Sequence, residues 1–221
     1  MPPHFAGPMS TIGTELLYSF IIIAISLIIY FSTREIEILS SYKGIKYFRK
    51  SFLFFALAFF FKVFIQFLVR SFGVRRASEF APSSLGFISL FLFVFFSTLA
   101  IFYLIYSLVW RKLNSKSISL IYFLSLLVAF IVILTQDILV YLGINILLFI
   151  FLTSIVLISH KNSKQGNNLI AIYILLLLFL IFNIIDILIP NFLQTFQLLI
   201  YFISCGIFLA ILYKVLRKLG T

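Results

Sequence analysis

Three ionisable side chains, Lys62, Asp137 and Asp186, stand inside long apolar runs of this chain. An ionisable group within a membrane span costs roughly 2.5–3.5 kcal/mol on insertion, so each is a candidate for a ligand site or an ion path. Lys62, Gln66 and Arg70 recur at i, i+4 and i+8, a spacing that stacks them on one face of a helix. Asp137 and Asp186 come about 20 residues after their runs begin, the length of one crossing, so both are expected at the same boundary as Arg70. The expectation is a polar pocket facing outward. Arg70, Asp137 and Asp186 would be its charge partners, Gln66, Gln136, Asn183, Gln194 and Gln197 its neighbours, and Lys62 its floor. A plainer reading stands beside it. Groups within a turn or two of the boundary snorkel to water, and Asp before a Gly or Pro turn is ordinary turn chemistry. Asn183, Gln194 and Gln197 serve equally as hydrogen-bonding glue between helices.

Other chemistries lack their residues. His4 and His160, the two histidines, are expected on opposite sides of a membrane, and no histidine, cysteine and carboxylate combine at ligand spacing. No metal and no cofactor is therefore expected. Cys205 is the single cysteine, so no disulfide forms within the chain. A Ser-His-Asp arrangement would need His160 at the edge opposite both aspartates, and an aspartyl dyad from Asp137 and Asp186 lacks a flanking glycine motif. A retinal Schiff base would need a lysine in the middle of the last span, and residues 195–212 contain none. An enzyme is not expected.

These residues are carried by a chain of 221 residues that is 63% hydrophobic and 10% charged, with a mean hydropathy of +1.22. Soluble domains carry about 25% charge, so this composition points to an integral membrane protein. Runs long enough to cross a bilayer fall at about 14–32, 48–70, 86–110, 118–140, 144–160, 168–189 and 191–214. The expected fold is thus all-α, a polytopic bundle of seven transmembrane helices forming one domain. Tight turns are expected at Leu142-Gly143 and at Pro190-Asn191, the second because proline and its predecessor leave the helical region. Ile65–Gly73 can be laid on Thr135–Gly143, and Asp137-Ile138-Leu139 on Asp186-Ile187-Leu188, a weak repeat that suggests span one followed by three helical hairpins.

The net charge of +11 is better read as membrane topology than as nucleic-acid binding, because the basic residues lie between apolar spans with no stacking aromatics in a soluble segment. Thirteen of the 17 Lys and Arg residues fall on one side of the expected spans, and only Arg70, Arg75 and Arg76 on the other. By the positive-inside rule the N-terminus is outside and the C-terminus cytoplasmic, in a multi-pass cell-membrane protein. The first ten residues lack the positive region of a cleavable signal. Tyr42, Tyr47, Trp110 and Tyr213 are expected at the inner boundary as amphipathic anchors. Thirty phenylalanines against nine glycines, with no GxxxG pair, indicate bulky packing against lipid or partner helices.

The first inner loop is the most distinctive segment. Lys43, Lys46, Arg49 and Lys50 form a juxtamembrane basic stretch suited to anionic headgroups or to a protein partner. Here Tyr47-Phe48-Arg49 leads into Phe52–Phe61, and in this the chain resembles small archaeal and bacterial seven-helix membrane proteins and the membrane sensor modules of prokaryotic signalling proteins. The resemblance covers about 35 residues and the topology, and the chain departs from full sensors by carrying no kinase or DNA-binding output stretch. It implies a sensory or scaffold role. Taken together, a non-enzymatic sensor or accessory subunit is expected, with the bilayer and a protein partner or second copy as its contacts. A small transporter or channel using the polar pocket is the alternative.

Overall fold

A computed structural model describes residues 9–39, 44–71, 84–110, 116–135, 137–162, 167–188 and 194–219. They form seven helices: α1 Met9–Leu39, α2 Gly44–Ser71, α3 Ser84–Val109, α4 Lys116–Thr135, α5 Ile138–Asn162, α6 Asn167–Leu188 and α7 Gln194–Leu219. Among the described residues, five stretches are long and apolar enough to cross a membrane: Gly13–Glu35, Gly86–Val109, Ile118–Thr135, Leu139–Ile158 and Gln197–Arg217. α6 carries a shorter apolar stretch, Ile172–Ile185. Helices are the economical answer to such a sequence, because a helix satisfies its own backbone polar groups where no water can.

Contacts along the helices fix their directions. Glu15 meets Lys62 and Glu37 meets Arg49, so α1 and α2 are antiparallel. Phe54 on Tyr103 and Phe61 on Phe96 set α2 against α3 in the same way. Tyr103 on Tyr122 and Phe91 on Phe130 do so for α3 and α4. Phe48 touches Tyr173 and Phe55 touches Phe179, so α6 runs parallel to α2. Phe59 lies beside Tyr18, which stacks on Tyr201, while Phe52 reaches Phe208, so α7 is antiparallel to α2 and parallel to α1. Neighbours close in the order α1, α2, α3, α5, α6, α7 and back to α1, and α4 packs outside against α3 and α5. The first and last helices therefore start at the same end of the bundle and finish together at the other.

Among the described residues the middle of the bundle is packed with rings. Phe52, Phe179 and Phe208 are essentially inaccessible. Phe179 and Phe208 meet edge-on with centroids 4.5 Å apart, and Phe55 lies 6.2 Å from Phe179 and 6.4 Å from Phe208. Between helices in lipid the hydrophobic effect gives no drive, so shape-matched packing of this kind must supply the association. Three buried hydroxyls are absorbed within their own helices: Thr33, Thr98 and Ser125 donate to the carbonyls of Ile29, Val94 and Ile121 at 2.7, 2.9 and 2.9 Å. That back-bonding lets a polar residue face an apolar neighbour without an unmet donor.

Two expectations change here. The turn expected at Leu142-Gly143 is absent, and α5 runs straight through both residues. The break lies one and a half turns earlier, where Asp137 precedes α5 and its carboxylate accepts the Leu139 amide at 2.9 Å. The Tyr141 amide bonds the Asp137 carbonyl at 3.2 Å. An aspartate in that position is a strong helix N-cap, and a cap with a free carboxylate outweighs a glycine that fits within a helix at modest cost. The three-hairpin arrangement also holds unevenly. α2 and α3 form the most extensive helix pair, whereas α4 rests mainly on α3 and touches α5 little. The turn expected at Pro190-Asn191 lies outside the described residues, as do Tyr42, Lys43, Gln136, Arg75 and Arg76.

Candidate functional site

At the end of the bundle where α1 begins, Lys62 of α2 points its ammonium at Glu15 of α1, with Nζ 3.3 Å from Oε1. The side chains are 21% and 26% accessible, so the pair is half-buried. The ammonium also lies 5.9 Å from the ring centroids of both Tyr18 and Phe59, within cation–π range. Tyr18 stacks on Tyr201 at 4.5 Å with the rings 13° apart. The Tyr201 hydroxyl accepts Gln197 Nε2 at 2.8 Å. Three helices thus meet in one polar and aromatic cluster, with a carboxylate and an ammonium at its edge and tyrosines beneath them.

The sequence placed a polar pocket at this end, and the residues divide as follows. Lys62 and Gln197 belong to the cluster. Asn183 of α6 falls at the same level, one turn beyond Phe179, and its amide donates to the Phe179 carbonyl at 2.9 Å. Asp137 is exposed and is occupied in capping α5. Gln66, Arg70, Asp186 and Gln194 fall on α2, α6 and α7, but their side chains lie outside the described residues. The partner of Lys62 is Glu15, which sequence spacing could not reveal because 47 positions separate them. The available signal was that Glu15 is the one acid in the first apolar run before Glu35, at a depth an antiparallel second span would match.

The opposite end carries a second ion pair. Arg49 of α2 pairs with Glu37 of α1, Nη1 to Oε2 at 2.8 Å, and its guanidinium lies 4.9 Å over the Tyr30 ring. Arg49, expected to meet headgroups or a partner, is paired with Glu37 of α1. Lys46 is exposed and Lys50 half-buried on the same two turns. Nearby, Tyr47 meets Tyr106 edge-on at 4.4 Å. Ser107 of α3 donates to the Leu104 carbonyl at 2.6 Å, so its oxygen receives the Tyr173 hydroxyl of α6 at 2.8 Å. The Tyr103 hydroxyl donates to that of Tyr122 at 2.9 Å, tying α4 to α3.

Chemically the arrangement is an ion pair between the Glu15 carboxylate and the Lys62 ammonium, backed by the rings of Tyr18 and Phe59. Among the described residues no three His, Cys, Asp or Glu side chains gather to hold a metal ion.

No protein-family model matches the chain. No solved structure matches it either. An uncharacterized protein of Archaeoglobus fulgidus is 34% identical over 227 aligned positions, which take in 99% of this chain and 98% of that protein. Identity at that level along the whole length of both chains means a shared fold, and the chain belongs to the same family as this Archaeoglobus fulgidus protein.

Proposed function

We propose that this is a multi-pass cell-membrane protein that crosses the bilayer seven times, N-terminus outside, and works without chemistry of its own as a sensor or accessory subunit of a membrane complex. The observation that carries the reading is the Glu15–Lys62 pair over Tyr18 and Phe59. Charges inside apolar helices are costly and are retained where they do work. From this pair a continuous run of rings leads inward through Phe59, Phe179, Phe208 and Phe52 to Phe48 and Tyr173. At the far end the same two helices are joined again by Glu37 and Arg49. A ligand or partner that separated the outer pair would shift α1 on α2, and the rigid rings would carry the shift to the inner loops. A ring-filled middle suits that role better than a continuous wet path.

The test is purification of the full chain from its native membrane in mild detergent, with the mass of the intact particle and the identity of its contents. A stoichiometric partner supports the subunit reading, and a lone chain that binds nothing at the outer cluster refutes it. The half-accessible Lys62 favours transport as the second reading. In vesicles, ion or proton flux that is the same in wild type, Glu15→Gln and Lys62→Met would remove it.

A further inference from the structure

We infer that the inner end of α7, α1 and α2 is a binding surface for anionic phospholipid headgroups, formed by Arg34, Lys46, Lys50 and Lys214. The helix register brings them to one level. Phe52 pairs with Phe208, and Phe59 reaches Tyr201 through Tyr18, so α2 and α7 run past each other with Lys46 level with Lys214. Glu37 opposite Arg49 sets the end of α1, with Arg34, beside Lys46 and Lys50. Three helices distant in sequence thus deliver four cations to one rim.

Their neighbours sharpen the inference. Glu37 is paired with Arg49, which leaves Glu35 as the remaining described acid near the rim. Arg34 and Lys46 are exposed, and Lys50 and Lys214 are half-exposed, with long stems that can lie along apolar surface while the charged tips reach phosphate. Phe31 and Tyr213, 64% and 63% accessible, stand on α1 and α7 just beneath this rim, where acyl chains and the headgroup boundary would meet them. A row of cations over exposed apolar rings is complementary to an anionic lipid, whose phosphate and chains occupy the same two layers. A soluble acidic protein would match only the upper layer.

The inference depends on the membrane placement proposed above and not on the sensor role. The experiment reconstitutes the full chain in nanodiscs with equal parts phosphatidylcholine and phosphatidylglycerol. The ratio of the two lipids retained after extraction in mild detergent is then measured by mass spectrometry. Wild type is expected to retain phosphatidylglycerol several-fold over phosphatidylcholine, with the preference falling as salt is raised. Each of Arg34→Gln, Lys46→Gln, Lys50→Gln and Lys214→Gln should lower the ratio, by about fivefold where the contact is full. No preference in wild type, or full preference in the quadruple variant, overturns the inference. Replacing chloride by inorganic phosphate at matched ionic strength should leave the ratio unchanged, and loss of the preference would make the surface a site for free phosphate instead. Failure of the chain to enter the nanodisc at all would overturn the membrane placement rather than the lipid surface alone. Single substitutions at exposed Arg34 and Lys46 keep the test open should the quadruple variant not fold.

Discussion

Lys62 Nζ lies 3.3 Å from Glu15 Oε1, joining the start of α1 to the far half of α2. Removing one member leaves the other charge half-buried and unmatched, which is worse than removing both. Lys62→Met and Glu15→Gln should each lower the stability of the purified protein, and the double variant should recover part of the loss. A coupling of about 1–2 kcal/mol in the double-mutant cycle is expected for residues in direct contact. Thermal melting in detergent measures it, and additive effects of the two substitutions would mean that the pair contributes nothing.

The phenylalanine cluster should be less forgiving than its chemistry suggests. Phe52 and Phe208 are fully buried from different helices and meet edge-on at 6.3 Å. Phe208→Ala opens a void that the neighbours cannot collapse around, and in soluble cores such truncations cost about 3–5 kcal/mol. Part of that figure is transfer from water, which does not apply between helices in lipid. A loss of about 2 kcal/mol is therefore expected, with Phe208→Leu losing less. Unfolding in mixed micelles against increasing sodium dodecyl sulfate reads it, and equal tolerance of Ala and Leu would contradict the packing.

By contrast the bond between Tyr173 and Ser107 should be minor. It joins α6 to α3 at 2.8 Å in a buried setting. Interhelical hydrogen bonds in membranes average about 0.6 kcal/mol, because the separated helices find other partners. Tyr173→Phe should accordingly shift the same unfolding midpoint slightly. Tyr173→Ala should shift it far more, since the ring also packs on Phe48 at 6.0 Å.

What the sequence made legible was local. Apolar run lengths sufficed for an all-helical chain, and the depth of Lys62 in its run singled it out without any knowledge of its partner. Its partner was not legible, because Glu15 is joined to it through the antiparallel register of two helices, and nothing in the spacing of either run encodes that register. The same gap hid Tyr18 and Tyr201, which look like ordinary members of apolar runs until α1 and α7 are set side by side. The neighbours of Arg49 in the bundle were hidden for a related reason. Basic residues, Lys46 and Lys50, flank it in sequence, whereas in the bundle it turns toward Glu37 and Tyr30. At Gly143 the expected turn does not form, because the capping carboxylate six positions earlier decides the start of α5.

Asp137 offers the cleanest separation between a polar path and plain helix chemistry. Its carboxylate accepts the Leu139 amide at 2.9 Å, and its exposed position lets water solvate the rest. A cap needs an oxygen acceptor and not a charge, so Asp137→Asn and Asp137→Ser should keep most of the stability while Asp137→Ala loses about 1 kcal/mol. A group that carries ions or protons makes the opposite demand: Asp137→Asn would abolish its work as completely as Asp137→Ala. Melting temperatures of the three variants, measured beside any flux or partner-binding assay, distinguish the two. Stability lost in Ala and retained in Asn and Ser, with function intact in Asn, assigns Asp137 to the start of α5 and moves the search for a functional charge to Glu15 and Lys62 among the described residues.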